Sequence, residues 1–310
     1  MKMNLANIKK AKKILDNNEC VAIPTETVYG LAGNGYSDKA CKKIFELKKR
    51  PKNNPLIVHY YNLKSLKKDC FFNNDFIKLY KKFCPGPITF VLFLKGDSKI
   101  SKFANNNNKT LAVRFPKHPI TRNLLKKLNY PLAAPSANLS SKVSAVNSND
   151  VRDDFGKKIK FILDGGRSSI GLESTIIDLK NKPKILRLGG LETSLIQKVL
   201  NKKVLIKNNP LKISSPGQLK LHYSPGIPIR LNVKKIKKGE ACLLISKKKN
   251  SKSNYYFLSK NGNLKEAARN LYSVLRKIKK NKHKSIVVKK IPNKGLGKTI
   301  NDRLIRASKF

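Results

Sequence analysis

The sequence predicts an α/β protein: a twisted mixed sheet with flanking helices, followed by a second, smaller α/β domain. Three observations predict it. Short apolar runs alternate with helically periodic segments over the first 130 residues, and three strand-like runs with little helix between them come next. A stretch rich in Pro, Gly and Ser then breaks both periodicities before the rhythm resumes. With 310 residues and 40% hydrophobic content the chain can bury two ordinary cores. We therefore expect a domain at 1–207, a linker at 208–228 and a small domain at 229–310.

Taken in order, "CVAIP" reads as a strand that Pro24 ends by removing a ladder donor. "DKACKKIFELKK" is a helix, "PLIVHY" a strand, "DFIKLYKKF" a helix, "ITFVLFL" and "TLAVRFP" strands, and "ITRNLLKKL" a helix. "KFILDGG", "STIIDL" and "KILRLGG" add strands without intervening helices, which makes the sheet mixed rather than purely parallel. "LETSLIQKVL" is a helix that closes the first domain. The linker "NNPLKISSPGQLKLHYSPGIP" carries His222 and Tyr223 between two Pro-Gly pairs, where they are either part of a tether or pinned against a site. Beyond it, the strands "ACLLIS", "YYFLS" and "SIVVKKI" surround a helix whose Leu264, Ala268, Leu271, Leu275 and Ile278 keep helical spacing. A last helix, "INDRLIRASKF", follows a loop "GLGKT".

Sixty-eight Lys and Arg against 18 Asp and Glu give a net charge of +50. Eleven of the 68 are arginine, so 68 − 11 = 57 are lysine, and asparagine is also abundant ("NNNN" at 105–108). Compositional drift accounts for that pattern better than a dedicated nucleic-acid surface, since the runs "KKIKK" and "KKKNSK" lack the interleaved aromatics of a base-stacking platform. The charge still favours anionic ligands. Five cysteines without a CxxC pair suit reduced core thiols, so neither disulfides nor a structural metal is expected. The first residues space their apolar side chains between lysines, and no apolar run reaches membrane-spanning length. The expectation is a soluble, cytoplasmic protein without a membrane partner.

Several short stretches carry candidate chemistry. In "PTETVYGLAGNG", Thr25, Glu26 and Thr27 set hydroxyls and a carboxylate at a strand end, where α/β proteins bind ligands, and Gly30, Gly33 and Gly35 let the backbone bend. "ELKKRPKNNPLIVHY" places Lys48 and Arg50 at a helix end, then Asn54, then His59 at a strand end. Arg114 lies inside an apolar strand, where a lone guanidinium is costly; with so few acids in the chain, an external anion is favoured over an internal salt bridge. Arg187 repeats the argument, with glycines after it for close approach by a ligand. "AAPSANLSSKVSA" gathers Ser136, Asn138 and Ser144, and "DGGRSSIGLESTIIDL" adds Ser174. The glycines fit neither GxGxxG nor a phosphate loop, and no nucleophilic triad, carboxylate pair or metal-ligand cluster is evident.

Together and in order, "PTETVYGL", "KKRPKNNPLIVH", "PGPITFVL", "LAVRFPKHP", "AAPSANLS" and "DGGRSSIGLESTIIDL…ILRLGG" resemble the YrdC-like domain of the threonylcarbamoyl-AMP synthases over nearly all of residues 10–200. The linker and the tail "GLGKTINDRLIRAS" are similar to the long, two-domain form. The resemblance implies formation of threonylcarbamoyl-adenylate and pyrophosphate from L-threonine, bicarbonate or carbon dioxide, and ATP, with Mg2+ arriving on the nucleotide. It implies the downstream tRNA threonylcarbamoyl-transfer machinery as partner, with tRNA itself a further candidate. It assigns Thr25, His59, Arg114, Ala134 and Ser174 to threonine. Lys48, Arg50, Asn54, Thr110, Ser136, Asn138, Ser144 and Arg187 fall to ATP, and His222 and Tyr223 to a segment closing over the nucleotide. Lys48, Arg50 and Arg114 are the implied catalytic residues. Glu26 stands where many relatives have aspartate. The rival readings are an RNA-binding module without ATP turnover and a carbamoyl-transferring relative, whose extra zinc-finger cysteine patterns are absent from this chain.

Overall fold

The computed structural model describes residues 4–207, 222–233, 235–247 and 252–309, so most of the expected linker, 208–221, lies outside the described residues. Ten strands form one sheet. They are Val21–Ile23 (β1), Gly30–Asn34 (β2), Ile57–His59 (β3), Ile88–Phe93 (β4), Thr110–Arg114 (β5), Leu132–Ala133 (β6), Phe161–Ile162 (β7), Thr175–Asp178 (β8), Lys184–Arg187 (β9) and Leu205–Ile206 (β10). Their order across the sheet is β10-β9-β8-β4-β5-β3-β6-β2-β1-β7. Four parallel pairs (β1/β7, β3/β5, β4/β8, β9/β10) are interspersed with five antiparallel ones, giving the mixed sheet that the helix-poor middle of the sequence predicts.

Alternation along the strands gives the sheet two unlike faces. Val58, Phe90, Val113 and Ile177 enter the main core, which continues into the helices on that side. Ile57, Val91, Ala112 and Ile176 form a thin apolar layer on the opposite face. The helix Asp38–Lys48 packs Ala40, Cys41, Ile44 and Phe45 inward. Its start is capped by the Ser37 hydroxyl, and it stops at Lys49, which takes the left-handed conformation at φ 50°. That stop aims Lys48 and Arg50 back over the sheet.

The second domain holds a four-stranded, all-parallel sheet of Ile229–Leu231 (β11), Glu240–Ser246 (β12), Tyr255–Ser259 (β13) and Ser285–Val288 (β14), in the order β11-β14-β12-β13. Its 17-residue helix Leu264–Lys280 is capped by Asn263 and buries Ala267, Ala268, Leu271, Tyr272, Leu275 and Ile278, the face the apolar spacing predicts. The terminal helix starts at Leu296, so the expected loop "GLGKT" supplies a cap, Gly295 at φ 48°, and the first helical turn. Gly297 is required there because a Cβ would meet the Pro292 carbonyl oxygen at 1.9 Å. The five cysteines are unbridged, as expected, and burial pushes the Cys20 thiol up to about 12. Among the described residues no helix is long and apolar enough to cross a membrane.

Candidate active site

Strand register assembles the site. His59 on β3 lies opposite Arg114 on β5, Arg114 opposite Thr89 on β4, Thr89 opposite Ile176 on β8, and Ile176 opposite Arg187 on β9. Residues in register share a face of a sheet. Two side chains 128 positions apart in sequence, His59 and Arg187, thereby reach the same side. They open onto one cavity of about 40 Å³, lined also by Thr25, Arg50, Arg114, Ala134, Ser136, Ser174, His222 and Tyr223. Ten of the predicted site residues meet there, and Ile57 of the thin apolar layer floors it.

The other five predicted residues lie outside the lining, four of them bonded to its surroundings and Thr110 away from it. Lys48 is buried and its Nζ donates to the carbonyls of Ser136 (2.5 Å) and Asn138, fixing the loop that walls the cavity. Burial and the neighbouring charge of Arg50 hold its pKa well below the usual lysine range. Asn54 is fully buried with both side-chain polar atoms unpartnered, and its carbonyl accepts from Arg50 Nε (3.0 Å). Asn138 ties its own loop together by donating to the carbonyls of Leu139 and Lys142. Ser144 donates to Glu173 (2.6 Å). Thr110 begins β5 while Arg114 ends it; the two share a face about 13 Å apart, the length of four residues of strand.

Three expectations need correction. Arg114 has an internal partner: its guanidinium donates to Glu26 Oε1 at 2.8 Å, while Lys117 N–H donates to the other carboxylate oxygen. Its Nε remains buried without a partner, so an anion can join Glu26 there but does not replace it. The glycines after Arg187 approach the chain itself, not a ligand. A Cβ on Gly189 would lie 2.3 Å from the Ser174 and Thr175 backbone, and this closeness lets Arg187 donate to the Ser174 carbonyl (2.9 Å). Gly30 and Gly33 do not form a bend either, although Gly30 lines the cavity. They sit within β2, where a Cβ would press on Ala134 and on the Ala40 and Ile44 side chains, while Gly35, just beyond the strand, meets the Pro131 carbonyl. Thr25 does turn the chain: its hydroxyl donates to the Val28 carbonyl at 2.6 Å.

The site is short of negative charge. Burial and the charge of Arg187 push Arg50 down to about 9. Burial and Arg114 push His59 down to about 3, so its ring is neutral at pH 7, with Nδ1 unpartnered. One carboxylate lines the cavity. Burial by itself would raise Glu173, but Arg303 and Arg187 bring it down to about 2, and it accepts from Ser144, Tyr272 and Arg303. Sequence reasoning missed Glu173, Tyr272 and Arg303; the one visible signal was an acid, Glu173, inside a strand-leading segment of an acid-poor chain. Among the described residues no three His, Cys, Asp or Glu side chains group as a metal site. Clustered cations on an apolar floor, with the acids already engaged, suit a carboxylate and a polyphosphate side by side.

Comparison with known proteins agrees with that chemistry. Residues 13–189 match the family described as "Telomere recombination", and residues 191–309 match "Threonylcarbamoyl-AMP synthase, C-terminal domain". The chain is 35% identical to the threonylcarbamoyl-AMP synthase of Bacillus subtilis and 33% identical to that of Pyrococcus abyssi, in each case over 98% of this chain and 94% of the relative. A crystal structure of P. abyssi Sua5 complexed with L-threonine superposes with a TM-score of 0.91 at 32% identity, covering 99% of this chain and 96% of that one. The chain belongs to the threonylcarbamoyl-AMP synthase family.

Proposed function

We propose that the protein is an L-threonylcarbamoyladenylate synthase, a nucleotidyltransferase that joins L-threonine, carbon dioxide from bicarbonate, and the AMP moiety of ATP with release of pyrophosphate. The observation that carries the reading is the convergence of Arg50, Arg114, Arg187 and neutral His59 on one cavity whose one lining carboxylate, Glu173, is engaged by Arg303, and beside which Glu26 is engaged by Arg114. Threonine's amine adds to carbon dioxide, giving a carbamate and a proton. A carbamate oxygen then attacks the α-phosphorus, and the bond to pyrophosphate breaks. Arg114 receives the threonine carboxylate beside Glu26, and the unpartnered His59 nitrogen and the Thr25 turn seat its polar atoms. Arg50 and Arg187 face the phosphates, and Lys48 acts by holding the 136–138 loop. Positioning and charge neutralisation carry such a step without a protein nucleophile.

Magnesium belongs to the substrate, as Mg-ATP. Glu173 and Glu26, the buried carboxylates beside the cavity, are taken by Arg303 and Arg114, so the protein offers neither to the ion. In this reading the catalytic unit runs over 1–207, the linker over 208–228 and the small domain over 229–310, with 208–221 outside the described residues. The adenylate's mixed anhydride needs an acceptor, in this reading the adenosine amine of a tRNA, to which the cytoplasmic modifying machinery transfers the threonylcarbamoyl group with release of AMP. Purified protein incubated with ATP, threonine and bicarbonate, each omitted in turn, should release pyrophosphate only when all three are present. Salt-sensitive RNA binding without pyrophosphate release would instead favour the RNA-binding module.

A further inference from the structure

His222 and Tyr223 roof the cavity at a cost. Tyr223 is a non-glycine residue at φ 66°, its hydroxyl is buried without a partner, and His222 Nδ1 is likewise unpartnered. A left-handed backbone and orphaned polar atoms persist only where surrounding structure enforces them. The catalytic domain holds the next residue's backbone, with Ser224 N–H donating to the Ser141 carbonyl (2.8 Å) and the Ser224 carbonyl accepting from Val143 N–H (3.2 Å), while the small domain holds the Tyr223 ring. The Arg303 guanidinium lies 4.5 Å from the centroid of the Tyr223 ring, and Tyr272 stacks on the same ring at 5.9 Å and 13°. Both side chains are anchored to the catalytic domain by one carboxylate: Glu173 accepts from Arg303 Nε (2.9 Å) and from the Tyr272 hydroxyl (2.9 Å). Arg303 also donates to the Leu188 carbonyl (2.6 Å), the residue after the Arg187 strand.

We propose that Arg303, with Tyr272 and Glu173, is a positioning latch of the small domain that holds the His222–Tyr223 segment shut over the cavity. The guanidinium suits both tasks, because its edge binds Glu173 and Leu188 while its flat face receives the tyrosine ring. Lysine can keep the charge beside Glu173 but has no flat face. The small domain thus sets how readily the nucleotide is enclosed, and its link to the reaction runs through Tyr223 rather than through contact with substrate. This inference rests on the proposed reaction only for its kinetic readout.

The chain has no tryptophan, so Tyr223→Trp introduces a single fluorescent reporter in the latch. Adding Arg303→Lys should red-shift its emission and raise acrylamide quenching at least twofold at unchanged far-UV circular dichroism. In the otherwise native protein, Arg303→Lys should raise KM for ATP about tenfold, with KM for threonine and kcat altered less than threefold. If the Arg303→Lys protein does not fold, Tyr272→Leu, which removes the ring on Tyr223, carries the same two measurements with the same expectations. Unchanged emission and quenching in a folded variant, or a fall in apparent kcat in proportion to lost folded protein with both KM values unchanged, would overturn the latch. The fluorescence test needs no turnover, so it decides the latch even if pyrophosphate release fails.

Discussion

Replacing Arg114 with lysine separates the two jobs its position gives it. Its guanidinium holds Glu26 at 2.8 Å, the two side chains are 5% and 7% exposed, and Nε is left to face a ligand. Lysine keeps a cation near Glu26 but cannot form the two-pronged hydrogen bond to a carboxylate. Hydrogen bonds to charged groups contribute about 1.5–3 kcal/mol each. Losing one from the bound amino acid and distorting a second removes about 3 kcal/mol of transition-state stabilisation, roughly a 10²-fold fall in kcat/KM for threonine. Arg114→Ala does more. It leaves Glu26 buried with the Lys117 N–H as its remaining partner, and breaking a buried ion pair in this way destabilises by about 3–5 kcal/mol. The assay is threonine-dependent pyrophosphate release beside thermal unfolding of the same preparations. Arg114→Lys should lose activity while melting near the wild-type temperature, and Arg114→Ala should lose both. Turnover of Arg114→Lys within twofold of wild type would refute the carboxylate assignment.

Gly189→Ala should fold poorly or lose activity, since a Cβ 2.3 Å from the Ser174 and Thr175 backbone pushes apart the strands that seat Arg187; overpacking of this kind costs at least about 1–3 kcal/mol, read by denaturant unfolding. Acid should destabilise the protein through its buried histidines. His59 and His222 titrate near 3 in the folded chain and near 6.5 when unfolded, so the unfolded state binds more protons between those values. Their contribution is fully present above pH 6.5 and is lost as pH falls toward 3, and Glu173, held at about 2, adds a further loss below about 4.5. Melting temperature should therefore fall more steeply with decreasing pH below 6.5 than above it; a profile with no added slope between 6.5 and 5 contradicts the buried, neutral assignment. A thiol reagent should reach Cys84 first in native protein, because the other four thiols are buried, and reductant should leave the melting temperature unchanged.

Periodicity made the fold legible wherever an element buries one face over several turns or residues. The helix Leu264–Lys280 and the strands β4 and β5 are of that kind. Short elements carried no such signal: β6 and β10 have two residues each, and β2, "GLAGN", reads as a turn because glycines suit both turns and close packing. The site was legible as residue types at strand ends, and ordered motifs supplied the roles. What a linear reading lacks is partnership. Glu26 is 88 positions from Arg114, and Glu173 is 130 from Arg303, so neither pair leaves a local trace. The small domain's reach into the cavity wall was invisible for the same reason: Tyr272 and Arg303 look like ordinary residues of amphipathic helices until the second domain is docked.

The central claim is that one cationic cavity seats an amino acid beside a nucleotide. A crystal structure of this protein with L-threonine and a non-hydrolysable ATP analogue tests it most directly. It should place the threonine carboxylate on Arg114 next to Glu26, with the phosphates between Arg50 and Arg187 under Tyr223. A nucleotide bound elsewhere, on the small domain or on the outer surface, would contradict the account.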